Sequence, residues 1–155
     1  MKIYDKRNML FISHAWEDFE FTKWLALKLA GEGYGVWCDL TKLLGGENWP
    51  KEINQALQNR TCKFLFDLSK SSNTRPDLLG ELETARKVMK REGIKDFIIP
   101  LKIDNILRDA VDYRLQEIQT ISFEYGKWAN VLADLLTKLH EDHIKKHKSF
   151  SASRK

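Results

Sequence analysis

The chain has 155 residues, 43% of them hydrophobic and 31% charged, a composition typical of one globular domain and not of a disordered chain. Residues 144–155 hold five Lys and Arg and no acid, while the rest carries 21 basic against 22 acidic side chains, so we expect no direct nucleic-acid binding by the folded part. No apolar run approaches the ~20 residues that span a bilayer, and Asp5, Lys6 and Arg7 interrupt any signal peptide, which predicts a cytoplasmic protein without membrane contact.

The first part of the chain predicts a strand, a helix and a second strand. Residues 9–12 form a continuous apolar run, as expected of a strand buried on both faces of a parallel sheet, and Ser13 and His14 end it. A broad apolar stripe predicts a helix over residues 19–30. Residues 34–40, which are aromatic and β-branched in part, predict the second strand.

The middle of the chain predicts a loop, two helices and a third strand between them. Residues 41–49 contain paired glycines and no usable periodicity, which predicts a loop. Pro50 suits the first turn of a helix, and residues 62–68 form the next apolar strand. A further helix is predicted over residues 76–92, because a proline suits its first turn and Gly93 ends it.

The last part of the chain completes an alternating pattern of strands and helices. We predict strands over residues 97–103 and 120–123 and a final amphipathic helix over residues 127–145. The pattern favours an α/β fold, a flavodoxin-like three-layer sandwich whose five-stranded parallel sheet has the order 2-1-3-4-5. We expect residues 1–143 to form this domain, and residues 144–155 to be a basic polar tail or the start of a linker.

The cysteines and histidines do not predict a metal site. Cys38 and Cys62 each fall within a predicted strand, and we expect buried free thiols there and no disulfide. His140, His143 and His147 share one face of the last predicted helix, where exposed histidines are the simpler interpretation.

The carboxyl ends of the first and third strands are the predicted ligand site. In this strand order the switch point lies between them, and ligands of open α/β sheets bind there. The two ends are residues 13–18 and 69–75, and the following helix projects Glu81 toward the same crevice within its first two turns. From spacing alone, the simpler interpretation of Glu81 is a solvated carboxylate on the helix. Glu83, which points to another face of the helix, is the second candidate for the site carboxylate. Trp16 is predicted to be a partly buried aromatic of the first elbow, with stacking on a base as the alternative.

Several short segments, in a fixed order and spacing, resemble TIR (Toll/interleukin-1 receptor) domains. They are Phe11-Ile-Ser-His-Ala-Trp-Glu-Asp18, Gly35-Val-Trp-Cys-Asp39, Leu43-Leu-Gly-Gly46, Cys62-Lys-Phe-Leu-Phe-Asp-Leu-Ser69, Gly80-Glu-Leu-Glu-Thr-Ala85 and Phe97-Ile-Ile-Pro-Leu101. Each segment is weak evidence alone, but together they extend the resemblance over residues 8–140.

The resemblance implies an NAD-consuming enzyme. Many TIR domains cleave the nicotinamide–ribose bond of NAD+ to give nicotinamide and linear or cyclic ADP-ribose, and their essential residue is a Glu near the start of the helix after the third strand. Glu81 matches that position, with the small Ala85 four residues later, so the resemblance implies Glu81 as the catalytic residue and NAD+ as a substrate. The family often has Trp four residues before this Glu, where this chain has Asp77, and Trp49 is a ring that could replace it.

The resemblance also implies substrate contacts from the first elbow, from the end of the second strand and from the loop after it. The residues are Ser13, His14, Ala15, Asp39, Lys42, Gly46 and Trp49. Simpler roles remain open for some of them, since Asp39 can cap the following loop and Gly46 can satisfy turn geometry.

Within the family, four segments most resemble the TIR domains of bacterial TIR-APAZ proteins, which accompany short prokaryotic Argonautes. They are Trp24-Leu-Ala-Leu-Lys-Leu29, Gly35-Val-Trp-Cys-Asp39, Thr61-Cys-Lys-Phe-Leu65 and Phe97-Ile-Ile-Pro-Leu101. This implies the effector of an anti-phage or anti-plasmid defence system, activated when TIR domains self-associate, with a short Argonaute as partner through a C-terminal domain outside this sequence. The alternative is a non-enzymatic adaptor that acts through TIR–TIR contacts, although such adaptors tend to lack the Glu at position 81. A phospho-receiver domain is excluded, because the first strand ends in Ser13 and His14 and not in paired acids.

Overall fold

The computed structural model describes residues 6–38, 50–124 and 126–147. The strands are β1 (Met9–Ser13), β2 (Gly35–Cys38), β3 (Thr61–Leu68), β4 (Ile98–Lys102) and β5 (Ile121–Ser122). The helices are α1 (Phe19–Gly31), α2 (Pro50–Asn59), α3 (Pro76–Glu92) and α4 (Trp128–Glu141), and 3-10 turns cover Trp16–Asp18, Ser72–Thr74 and Arg108–Ala110.

The five strands form one parallel sheet in the order β2-β1-β3-β4-β5, as the sequence predicts. In β1, Phe11 lies opposite Trp37 of β2 and Phe64 of β3. All eight residues of β3 are buried, because helices cover both faces of the sheet at its centre. The flavodoxin-like α/β architecture is therefore confirmed.

Two apolar layers, one on each face of the sheet, hold this architecture together. The layer beneath α2 and α3 includes Phe11, Ile53, Leu57, Phe64, Phe66, Leu78, Leu82 and Ala85. The layer beneath α1 and α4 includes Leu10, Ile12, Phe21, Leu25, Leu65, Phe123, Leu135 and Leu139. Residues alternate between the layers along β1 and β3, as the side-chain period of two requires.

The ends of the elements agree with the sequence where a local signal marks them. Helix α3 spans the predicted range, with a proline in its first turn and Gly93 as its C-cap at φ 64°, a left-handed conformation that favours glycine. Strand β4 covers five of its seven predicted residues, and β5 two of its four. The predicted loop at residues 41–49 lies outside the described residues.

Helix α4 is shorter than predicted, since it ends at Glu141 and not near residue 145. The prediction was wrong because His143 adopts a left-handed φ of 59°, which turns the chain away from the helix axis without a glycine to signal it. The chain then runs to the β2 edge, where the backbone N–H of His147 donates to the carbonyl of Gly33 at 2.6 Å. The ring Nε2 of His147 lies 3.0 Å from the carbonyl oxygen of Asn8, so residues 144–147 contact the domain.

Cys62 is buried, as expected, whereas Cys38 is only partly buried, and neither forms a disulfide. Burial raises the pKa of the Cys62 thiol to about 11, so at neutral pH it stays protonated and donates to the carbonyl of Met9. Across the described residues, none of the helices combines the length and apolarity needed to cross a bilayer.

Candidate functional site

The end of β1 and the second turn of α3 meet at the carboxyl edge of the sheet. Ser13 lies two residues beyond Phe11, and therefore on the face of β1 that α3 covers. Leu78 and Leu82 hold α3 on that face, and Glu81 sits beside this buried stripe. The Ser13 hydroxyl donates to Glu81 Oε1 at 2.8 Å, so the structure brings together two of the residues that the sequence singles out.

The rest of the elbow divides into buried and exposed side chains. Ser13, His14 and Ala15 are each 2% exposed or less, and Ala15 packs in the apolar layer beneath α3. Trp16 is 58% exposed, so the prediction of a partly buried elbow aromatic was wrong. The reason is geometric: the 3-10 turn that begins at Trp16 turns its side chain away from the sheet, and no residue of that turn is buried.

Two polar contacts join the elbow to the loop that follows β3. Arg75 donates to both carboxylate oxygens of Glu17, at 2.6 and 2.5 Å, in a pair that is about a third exposed. The hydroxyl of Ser69 donates to Asp18 Oδ2 at 2.5 Å. Burial raises the pKa of Asp18, and the nearby carboxylates of Asp104 and Glu17 raise it further. The hydrogen bond from Ser69 lowers this pKa but does not cancel the increase. The two strand ends that the topology predicts to converge are therefore bound to each other.

Beneath this edge lies a buried carboxyl that sequence reasoning missed, Asp67 of β3. It is fully buried, and its Oδ2 lies 2.5 Å from the hydroxyl of Thr22 on α1, which also lies 3.1 Å from the carbonyl of Asp18. A hydroxyl has one proton to donate and the carbonyl can only accept, so both contacts are satisfied when Asp67 is a neutral acid that donates to Thr22. Burial raises the pKa of Asp67 well above its usual range, which agrees with this arrangement. An acid inside the apolar run of residues 64–68 was the available signal.

Glu83, the fallback carboxylate, is engaged in ion pairs on another face of α3. Arg114 Nε donates to its Oε2 at 2.9 Å and Arg86 contacts the same oxygen at 3.2 Å. The hydrogen bond from Arg114 lowers the pKa of Glu83, so this side chain stays ionised and bound to cations.

The remaining site residues of the sequence analysis are Asp39, Lys42, Gly46 and Trp49, which lie outside the described residues. Among the residues that the structure does describe, no group of three or more His, Cys, Asp or Glu side chains is arranged to hold a metal ion.

Comparison with known proteins identifies the family. The sequence pattern of the TIR domain matches residues 10–136, which is most of the chain. The chain belongs to the TIR domain family. This TIR domain is 40% identical, over 100 residues, to the uncharacterized protein y4cD of Sinorhizobium fredii (strain NBRC 101917 / NGR234). That stretch is 64% of this chain and 16% of the relative, so the chain spans a small part of the relative's length.

Solved structures show the same fold at low sequence identity. A metazoan TIR-STING receptor from C. gigas, in complex with 2′,3′-cGAMP, superposes with a TM-score of 0.60 at 14% identity, over 80% of this chain and 38% of the receptor. The TIR domains of the activated Roq1 resistosome, which directly recognizes the pathogen effector XopQ, superpose with a TM-score of 0.54 at 18% identity, over 87% of this chain and 74% of that one.

The geometry of this TIR domain places the Glu81 carboxylate at the switch point of the sheet, on the same edge as Glu17 and Asp18, which are bound to the loop after β3. One of the Glu81 oxygens is oriented by a buried hydroxyl, and the exposed ring of Trp16 lies on the element that follows β1. Asp77, at the position where the family often has Trp, is an exposed acid in the first turn of α3 and forms no aromatic wall. Such a site can stabilise a developing positive charge and stack against a flat ring.

Proposed function

We propose that this TIR domain is an NAD+ nucleosidase that cleaves the nicotinamide–ribose bond to give nicotinamide and linear or cyclic ADP-ribose. The observation that carries the proposal is the 2.8 Å hydrogen bond from Ser13 to Glu81 at the carboxyl edge of the sheet. It places a carboxylate of fixed orientation where open α/β sheets bind their ligands.

The chemistry asks for one carboxylate. Loss of nicotinamide leaves an oxocarbenium-like ribose, and a carboxylate held beside it stabilises that positive charge. Nicotinamide leaves NAD+ as a neutral molecule from a cationic ring, so no second acid is needed to protonate it. In this proposal Glu81 supplies the negative charge, and the Ser13 hydroxyl keeps it aimed at the crevice.

The walls of the nicotinamide pocket are proposed to differ from the family's usual pattern. With an acid at position 77, the exposed Trp16, which lies in the turn after β1, is proposed to stack on the substrate. Asp39, Lys42, Gly46 and Trp49 remain proposed contacts to NAD+, and NAD+ enters as substrate and not as a resident cofactor.

The proposed biological role is that of an effector activated by self-association, in bacterial anti-phage or anti-plasmid defence. The 40% identity to a bacterial protein of much greater length supports a TIR module that works within longer chains. A short Argonaute, reached through a further C-terminal domain, is the proposed partner of such a chain.

The test is nicotinamide release from NAD+, followed by chromatography, with the domain concentrated or tethered to copies of itself. We expect Glu81→Gln to lower turnover roughly 100-fold or more, as removal of a transition-state charge contact does in other enzymes. Glu83→Gln is the matched control, because it removes the same charge from the same helix and leaves the Ser13 contact intact.

The outcomes separate the enzyme from the adaptor. Equal losses in the two variants would remove Glu81 from the catalytic role. An inert wild type, even when tethered, would favour the adaptor that acts only through TIR–TIR contacts. Turnover lost in Glu81→Gln alone would establish the nucleosidase, and the product would distinguish hydrolysis from cyclisation.

A further inference from the structure

The connection from β4 to β5 leaves a groove on the α3 face of the sheet. Residues 103–120 cross between these strands with one 3-10 turn, where the other described crossovers carry α-helices. Loops of this length inside a compact domain are uncommon and are often functional. The space between this connection and the end of β4 has a volume of about 630 Å³, within the range of small-molecule sites.

The connection is anchored, so the groove is formed before any ligand arrives. Asn73 donates to the carbonyl of Ala110 and accepts from the N–H of Asp112, both at 2.7 Å. Asp104 accepts from the N–H of Ile106 at 3.0 Å and from the N–H of Lys70 at 2.8 Å. These four bonds tie the connection to the loop after β3 and to itself.

The floor of the groove is apolar. Ile106 and Leu115 are buried, and Val111 and Ile118 pack against the same layer from partly buried positions. A flat or compact apolar body can therefore rest on side chains that are already desolvated on one side.

Two cations line the groove without an acidic partner. Lys102 ends β4 on the α3 face, and Arg108 stands in the 3-10 turn of the connection. Within the described part of the chain neither makes an ion pair, although Glu117 lines the same groove. Lys102 is partly buried and Arg108 is exposed. Each of the other partly or fully buried Lys and Arg side chains among the described residues is paired with a carboxylate, namely Arg7, Lys63, Arg75, Arg86, Arg114 and Lys138. Two unpaired cations above an apolar floor are suited to a ligand that brings its own negative charge.

We infer that this groove binds a nucleoside monophosphate, with the phosphate between Lys102 and Arg108 and the base on the floor. The volume fits a mononucleotide, and Gln119 and the Oε1 of Gln116 at the rim can bond to a base, since the Gln116 amide N–H already donates to Val111. A free phosphate would make no contact with the apolar floor, and an uncharged nucleoside would bring no negative charge to the two cations. The site does not depend on NAD+ cleavage, and Glu81 is not part of its lining.

The experiment is an NMR titration of the domain with AMP, observed at the methyl groups of Ile106, Val111 and Leu115. We expect saturable shifts at these methyls with AMP, and at least tenfold weaker binding of adenosine and of inorganic phosphate. Arg108→Gln and Lys102→Gln should each weaken AMP binding about tenfold, the value of one charge-assisted contact. Arg108 is exposed, so its variant tests the site without endangering the fold.

Two controls keep the outcomes separate. Lys87→Gln removes the same charge from an exposed position of α3 outside the groove, and should leave AMP binding unchanged. Glu81→Gln should also leave the AMP-induced methyl shifts unchanged. A failure of the nucleosidase proposal can therefore be distinguished from a failure of this inference. Equal binding of AMP and adenosine, or an affinity that neither Arg108→Gln nor Lys102→Gln alters, would overturn the inference.

Discussion

At the scale of single residues, Asp67 carries the clearest consequence for stability. Its folded pKa lies well above the usual value because the carboxyl is buried, whereas the unfolded chain ionises it near pH 4. The neutral acid therefore contributes fully below that pH, and its contribution falls as the pH rises toward the folded pKa. Asp67→Asn cannot ionise and keeps a donor for Thr22. We expect the stability of the variant relative to wild type to rise between pH 4 and pH 8, by up to about 1.4 kcal/mol per pH unit.

Urea unfolding of the two proteins across this pH range measures the difference. Asp109→Asn is the matched control, since it removes an exposed carboxyl of the β4–β5 connection. Its curve should run parallel to wild type. A parallel curve for Asp67→Asn as well would show that Asp67 is ionised in the folded protein.

Residue-level contacts were also where the sequence was least informative. The convergence of Ser13 and Glu81 follows from strand order, because the carboxyl ends of neighbouring parallel strands share one edge of the sheet. The bond between Thr22 and Asp67 joins positions 45 apart on different elements, and no local pattern predicts it. Hydrophobicity likewise could not say on which side of the elbow Trp16 would lie.

At the scale of elements, α3 shows which boundaries the sequence determines. Its proline and Gly93 are local steric signals, and both ends were predicted correctly. The end of α4 was not, because His143 turns the chain in a left-handed conformation without a glycine, and the residues after it contact a strand edge that is distant in sequence. The groove beside β4 could not be predicted from the sequence either, because residues 103–120 show no hydrophobic periodicity.

The glycine within α3 and the glycine that caps it provide a matched pair of substitutions. Gly93 holds φ 64° and has open space where a Cβ would lie, so Gly93→Ala should cost about 1 kcal/mol through backbone strain alone. Gly80 is helical and exposed, also with no atom within 4 Å of an added Cβ, so Gly80→Ala should stabilise by about 1 kcal/mol. Thermal and urea unfolding measure both changes. Effects of the same sign would contradict the assignment of Gly93 as a left-handed cap.

At the scale of the whole molecule, the chain after α4 packs against the apolar layer beneath α1 and α4 and then reaches the β2 edge of the sheet. Ile144 packs against the layer beneath α1 and α4, and His147 bonds to Gly33 and lies beside Asn8 at the β2 edge. The His147 ring also occupies the space above Gly35, where an added Cβ would lie 2.5 Å from the ring carbon Cε1. A residue larger than glycine at position 35 would therefore displace this segment.

Because residues 144–147 contact the domain, the position of its C-terminal boundary can be tested by measuring stability. A chain that ends at residue 143 loses the apolar contact of Ile144 and the hydrogen bond to Gly33, whereas a chain that ends at residue 147 keeps both. We expect the shorter chain to be less stable by about 2 kcal/mol, the sum of a partly buried aliphatic side chain and one net hydrogen bond. Urea unfolding of the two chains under one condition gives the difference directly. Equal stabilities would mean that residues 144–147 contact the domain without stabilising it, and would support residue 143 as the boundary of the folded unit.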